Sequence, residues 1–250
     1  MLIARFLADG QARFGAVEGD AVWALKGSPF EGLDRSSTAY PLSKVKLLTP
    51  CQPRKVFAVG LNYRSHLGER PSPKDPGIFL KTTTAIIGPE EPIVLPKGVP
   101  RVDVEGELVV VIGRTARNVS PREALNYVLG YTCGNDVSAR EWQRNDLQWW
   151  RAKGSDTFAP LGPWIATGLD PSKLRLVTRV NGVVGQESTT DLLITDVPNL
   201  VSFISQHVTL EQADVIYTGT PGQTPSIAPG DVAEVEISGI GVLRNPVKGD

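Results

Sequence analysis

The chain has 250 residues, with 26 Lys and Arg against 27 Asp and Glu and a formal net charge of −1. So even a balance sets up no field for phosphate backbones or anionic lipid, and no run approaches the roughly 18 uninterrupted apolar residues of a membrane span, which argues against nucleic-acid and membrane proteins. Two cysteines, Cys51 and Cys133, are too few for a disulfide framework, and no charged-then-apolar leader opens the chain, so a cytoplasmic protein with free thiols is expected.

The 25 glycines and 20 prolines exceed the roughly 12% of an average chain by half, and they are dispersed among apolar runs. Short strands joined by tight turns use both residues, whereas helix interiors tolerate neither. Residues 1–50 alternate brief apolar runs with Asp-Gly, Phe-Gly and Glu-Gly-Asp breaks, a small β meander. The prolines at 50 and 53 mark a boundary, after which a main domain, 54–250, opens with a strand at Val56–Val59. Val104–Ile112 reads as a strand rich in β-branched residues. Ser120-Pro121-Arg122-Glu123 combines a cap, a first-turn proline and a Glu three residues on, and predicts a short helix through Val128. Tyr131–Asp136 reads as a strand ending in a polar corner, and Ser138–Asn145 as a helix. Asn181-Gly182 is a hairpin turn of the mirror-image type. Asp196 caps a helix over Val197–His207, and strands follow at Asp214–Tyr217, Asp231–Ile237 and Val242–Val247.

Chemistry concentrates in a few places. Glu105 and Glu107 lie two apart in an apolar strand, so both carboxylates share one face. Two buried like charges repel, and a divalent cation removes the repulsion. Oxygen donors select Mg²⁺, Mn²⁺ or Ca²⁺, and no Cys or His lies nearby to suggest zinc. The bland alternative is a strand whose acids face solvent. Asp136, a third acid set directly after an apolar strand, weighs against it. His66 and Glu69, three apart, share one face of a helical turn, where a carboxylate would fix the imidazole tautomer for general-base work; taken alone, such a pair is more often surface decoration. His207 sits at a helix end, where the dipole favours a cation, and is assigned no chemistry. Arg140 and Gln143 follow Asp136 on one helical face, as anion binders or as an ordinary solvated surface. Lys153 follows two aromatics and is either partly desolvated or exposed. Gly219 and Thr220 follow a strand and let a ligand approach the backbone, but the Gly spacing is not that of a phosphate loop.

From Lys55 onward the sequence resembles the fumarylacetoacetate hydrolase superfamily, specifically its smaller prokaryotic-type members. The motifs that carry the resemblance are Val59-Gly60-Leu61-Asn62-Tyr63 with His66 and Glu69, Phe79-Leu80-Lys81, Asp103-Val104-Glu105-Gly106-Glu107-Leu108, Asn135-Asp136-Val137-Ser138-Ala139-Arg140 with Gln143, Lys153, Asp156-Thr157-Phe158, Thr218-Gly219-Thr220-Pro221 and Pro229-Gly230-Asp231, in the family's order. The resemblance implies a β-dominated α+β fold, a mixed β-sandwich roll with a small N-terminal β domain, in which Glu105, Glu107 and Asp136 bind Mg²⁺ or Mn²⁺. It implies a small-molecule 2-oxo or 2,4-dioxo (di)carboxylic acid as substrate, handled as a metal-bound enolate. His66 with Glu69 would move protons, Lys153 would stabilise developing negative charge, Arg140 and Gln143 would orient the substrate, and Thr220 with the Gly219 backbone would complete the pocket. The segment bearing His66 would act as a lid, and the assembly would be a homodimer.

The step so implied is C–C bond hydrolysis or decarboxylation of the acylpyruvase kind. One alternative is a 2-hydroxyhepta-2,4-diene-1,7-dioate isomerase of aromatic-compound catabolism, and another a non-catalytic metal- and carboxylate-binding protein of the same fold. Retention of His66, Glu69 and Lys153 leans toward hydrolysis or decarboxylation, since isomerisation needs only proton transfer. The chain departs from the common pattern at Val104, at Gly106 and in the loop Gly222-Gln223-Thr224-Pro225-Ser226-Ile227; this loop borders the pocket and bears on substrate identity more than on reaction type.

Overall fold

Apolar runs broken every few residues by turn formers become strands, and the computed structural model, which describes residues 1–250, assembles them into packed sheets. The larger sheet follows the order Arg35–Pro41, Ala21–Leu25, Gln11–Glu18, Leu2–Ala8, Ala159–Ala166, Val128–Asn135, Gly106–Ile112, Val215–Tyr217, Val56–Gly60, Gly77–Lys81. Every pairing along it is antiparallel except that of Val215–Tyr217 with Val56–Gly60. A second sheet orders Val183–Thr189, Arg175–Val180, Val232–Ile237, Gly241–Gly249 and Ile93–Leu95. The fold is thus the mixed, sheet-dominated one expected.

Gly106–Ile112 lies at the centre and is buried along its whole length. Leu108, Val110 and Ile112 face the second sheet, packing in one cluster with Leu176, Val235, Ile237 and Leu243 and with Leu200, Val201 and Ile204 of the helix Val197–His207. Val109 and Val111 face the other way, in a cluster with Val56, Ala58, Leu161, Ile165 and Tyr217. Apolar on both faces, the strand is an unbroken hydrophobic run in which Glu107 stands out.

The predicted meander is present as four antiparallel strands, and its first strand hydrogen-bonds into the larger sheet, Leu2 opposite Ala166 and Ile3 opposite Ile165. Asn181 and Gly182 both take positive φ, 53° and 78°, the backbone of the mirror-image turn. Asp196 caps Val197–His207 by accepting from the Asn199 N–H.

Three expectations are corrected. The Ser120–Val128 helix is only a 3₁₀ turn over Ala124–Tyr127, followed at once by the strand Val128–Asn135. The Ser120 hydroxyl donates to the Glu123 carboxylate at 2.9 Å, so the two partners of the capping box satisfy one another and leave the helix start uncapped. The helix expected from Ser138 begins at Arg140, because Ser138 and Ala139 pair with Val102 and Asp103 as a short strand. The strand expected from Val104 starts at Gly106. The Val104 N–H goes to Pro225 O, and the Glu105 N–H goes to the Asn135 side chain at 2.9 Å instead of to a ladder partner.

Candidate active site

Glu105, Glu107 and Asp136 are all buried, and one oxygen from each lies within 4.8 Å of the others. The backbone builds this convergence. Asn135 at the end of its strand pairs with Gly106, its side chain receives the Glu105 N–H at 2.9 Å, and the Asp136 N–H returns to Glu105 O at 2.9 Å. Three buried carboxylates need compensating charge. Lys153 Nζ donates to Glu105 Oε2 at 2.6 Å and to Asp136 Oδ2 at 2.7 Å, Arg140 Nη2 donates to Glu105 Oε1 at 2.5 Å, and Lys81 Nζ donates to Asp136 and to the Lys153 carbonyl.

The electrostatics are uneven. Glu107 makes no ion pair and accepts only the Gly219 N–H, at 2.6 Å. Burial drives its carboxyl well above the ordinary range, and Asp136 and Glu105 beside it add to the rise. Burial opposes the charge of Glu105 as well, but Lys153 and Arg140 outweigh it and hold that carboxyl at about 2. Burial likewise works against the Lys153 ammonium, and the attraction of Asp136 and Glu105 raises it above the usual lysine value all the same.

Lys153 is fully enclosed rather than half-exposed. Its helix, Trp150–Gly154, packs on Gly77–Lys81, and its Nζ sits 5.5 Å from the centre of the Phe79 ring. Lys81, quoted above only as part of a motif, proves to be the third cation of the site and, with Lys153, one of two that are buried. Its signal in the sequence was a lysine closing a strand, Phe79-Leu80-Lys81, whose opposite end leads back to the His66 segment.

The predicted His66–Glu69 pair does not form. The helix Arg64–Leu67 ends at Gly68, whose φ of +61° turns the chain away, and Glu69 is exposed. His66 Nδ1 instead lies 2.6 Å from the carbonyl of Gly222. A carbonyl only accepts, so Nδ1 carries a proton, and in the neutral ring the lone pair is on Nε2. The Gly222 N–H donates to Ser65 Oγ at 3.0 Å, a second tie between the two segments. The loop flagged as atypical is therefore what orients the histidine.

Arg140 and Gln143 are brought together as expected, Nη1 to Oε1 at 2.8 Å. Arg140 is otherwise consumed by protein partners: Asp103 at 2.8 Å, Thr224 at 2.7 Å and Glu105. Asp103 is held below the usual carboxylate range, burial being overcome by Arg101, Arg140 and Thr224. Gly219 positions Glu107. Thr220 Oγ1 donates to Gly106 O at 2.9 Å and accepts from Gln186 at 2.8 Å, which fastens the ligand strand to the 219–221 turn. A cavity of about 560 Å³ is lined by Leu61, His66, Arg70, Arg140, Gln143 and Trp149 among others, and Arg140, which also reaches Glu105, is the residue it shares with the centre.

The carboxylate set suits a hard divalent cation such as Mg²⁺ or Mn²⁺. All three donors are oxygens, they converge, and Glu107 is a buried carboxylate without a cation of its own. Fold and site together define a β-sandwich protein with a buried carboxylate centre and a cationic cavity that share Arg140.

The chain belongs to the fumarylacetoacetate hydrolase family: the fumarylacetoacetate (FAA) hydrolase C-terminal family matches residues 55–248, and the Rv2993c-like N-terminal family matches residues 1–50. It is 46% identical to 5-carboxymethyl-2-hydroxymuconate delta-isomerase from Mycobacterium smegmatis, whose structure superposes with a TM-score of 0.95 over 100% of both chains. It is 42% identical to the mitochondrial oxaloacetate tautomerase FAHD2A of Bos taurus over 83% of this chain and 71% of that one. The maleylpyruvate hydrolase of Sphingobium sp. SYK-6, solved with manganese(II) and pyruvate, is 31% identical with a TM-score of 0.84 over 100% of this chain and 99% of that one. No helix is long and apolar enough to cross a membrane.

Proposed function

We propose that the chain is a divalent-metal-dependent enzyme that moves a proton between the keto and enol forms of a 2-oxo acid, an isomerase or tautomerase. The observation that carries this reading is His66: its Nδ1–H is committed to the Gly222 carbonyl, its Nε2 has no partner within the chain, and it lines the cavity that shares Arg140 with the carboxylate centre. A cation held by Glu105, Glu107 and Asp136 would supply Lewis-acid polarisation of the 2-oxo group. His66 Nε2 then takes the proton from the carbon next to that group and returns it to the oxygen or to a conjugated carbon, which balances the reaction with no added reactant. Lys153 stays protonated between Glu105 and Asp136 and would hold the negative charge that develops on the substrate oxygen. Two of the relatives are by name an isomerase and a tautomerase, and single proton transfer asks for one base rather than a dyad.

Hydrolysis of a C–C bond is the second reading. The manganese-bound relative with that activity supports it, and it requires Glu69 to swing onto His66 when ligand binds. The test is ultraviolet absorbance of the enol form with the Mn²⁺-loaded enzyme on oxaloacetate, acetylpyruvate and 2-hydroxyhepta-2,4-diene-1,7-dioate, with products identified by mass. Products of unchanged mass support isomerisation, and fragments support the second reading. His66→Ala is expected to cost about 10²–10⁴ in kcat while Mn²⁺ binding persists. If the enzyme leaves all three compounds unchanged, both readings fail.

A further inference from the structure

The wall of the cavity carries more positive charge than the carboxylate centre requires. Three arginines, Arg70, Arg140 and Arg144, line it with His66 and Gln143, and no acid is among the lining residues. Arg140 is spent on Asp103, Glu105, Gln143 and Thr224, so it is poorly placed to receive a substrate carboxylate on its own. Arg70 and Arg144 have no such partners: neither guanidinium enters an ion pair or donates a side-chain hydrogen bond, although Asp146 is only two residues from Arg144 and is taken by Arg151 instead.

Their placement is ordered. Arg144 lies one turn beyond Arg140 on the helix Arg140–Asn145, hence on the same face and ~6 Å further along the axis. Arg70 reaches the cavity from a different segment, two residues after Gly68 turns the chain at φ +61°. A guanidinium offers paired donors that match a carboxylate. Two exposed, unpartnered ones lining a common space offer their donors to an anion about a helical turn beyond Arg140. An adjoining apolar hollow lined by Gly60, Ile78, Phe79, Leu147 and Trp149 would favour a hydrocarbon tail instead, but it contains no cation and lies behind the Trp149–Leu61 wall shared with the cavity.

We propose that Arg144 and Arg70 bind a second, distal carboxylate, so that the substrate is a dianionic 2-oxo dicarboxylate and these two residues set its selection over 2-oxo monocarboxylates. This rests on the 2-oxo acid reading above, and equilibrium binding separates the two. 2-Oxoglutarate and 2-oxopentanoate share a 2-oxo acid head and chain length and differ in the terminal carboxylate. Titration calorimetry of the Mn²⁺-loaded protein is expected to show 2-oxoglutarate bound about ten- to a hundredfold more tightly, with the advantage shrinking as salt rises. In the R144Q/R70Q double variant that ratio collapses to about one by loss of 2-oxoglutarate affinity. A preference that survives in the double variant, or equal affinities in the unsubstituted protein, overturns the proposal. If neither compound binds, the 2-oxo acid reading fails with it, whereas binding with the predicted ratio but no turnover of any substrate leaves the distal site standing and removes only the reaction.

Discussion

Lys81 shows how a residue can enter the charge balance of a site without touching the solvent. Its ammonium lies among Asp136, the Lys153 carbonyl and the rest of the buried cluster, and its side chain is fully enclosed. Burial pulls its pKa below the usual lysine value, with Asp136 acting in the opposite sense. Replacing Lys81 by Met keeps the bulk and removes one charge from a network of three acids and three cations. Breaking such a network on one side costs about 3–5 kcal/mol, because Asp136 is left undercompensated. The K81M protein is therefore expected to unfold at markedly lower denaturant than the parent, and Mn²⁺ to recover a large part of the difference by binding only the native state and replacing the missing positive charge. Denaturation with and without Mn²⁺ checks this; a loss under about 1 kcal/mol would show that Lys153 alone suffices. The acids themselves were legible, since carboxylates in the apolar Glu105–Ile112 run and after Asn135 violate the burial pattern. Lys81 was not, because a lysine at a strand end is ordinary until the fold puts Asp136, 55 positions away, against it.

At the scale of elements, features that depend on a few neighbouring residues could be read directly: the Asn181-Gly182 turn, the Asp196 cap, the strands near 56, 215, 232 and 242, and the body though not the start of the strands that end at Ile112 and Asn135. Those decided by a distant partner could not. The start of the ligand strand is set by Asn135, the Ser138–Ala139 pair by Val102–Asp103, and the tautomer of His66 by the Gly222 carbonyl. Gly106 belongs with these. A Cβ there would collide with the Thr178 hydroxyl and press on Val235 Cγ1 at 3.3 Å, because the strand between the two glutamates crosses the second sheet at closest approach. Gly106→Ala is expected to cost about 1–3 kcal/mol and to loosen Mn²⁺ binding, since Glu105 and Glu107 flank the displaced backbone. Thr178 Oγ1 is a buried hydroxyl without a hydrogen-bond partner, so Thr178→Ala sacrifices little. The double variant G106A/T178A should unfold at a higher temperature than G106A alone, and a double variant no better than the single one would place the strain elsewhere.

At the scale of the molecule, residues 1–50 form a family unit of their own in sequence, yet their first strand is welded to the rest. Leu2 and Ile3 pair with Ala166 and Ile165, and Thr167 N–H closes on Met1 O at 2.9 Å. Ile3 and Leu25 pack in the same cluster as Val56, Val109 and Tyr217, the layer that backs Glu107. Ala4, Phe6 and Val22 form a separate patch completed by Trp164. No local pattern announces this union, because the pairing partners are more than 160 positions apart. Its consequence is that residues 54–250 alone would expose the Ala159–Ala166 strand as an open edge with apolar residues beside it, the arrangement that templates intermolecular pairing. A chain begun at Arg54 is therefore expected to associate into large particles by light scattering and to lose Mn²⁺-dependent stabilisation, and co-expression with residues 1–50 to restore the size of the full chain. A 54–250 chain of unchanged thermal stability and discrete size would mean that the first strand caps the sheet without supporting the carboxylate centre.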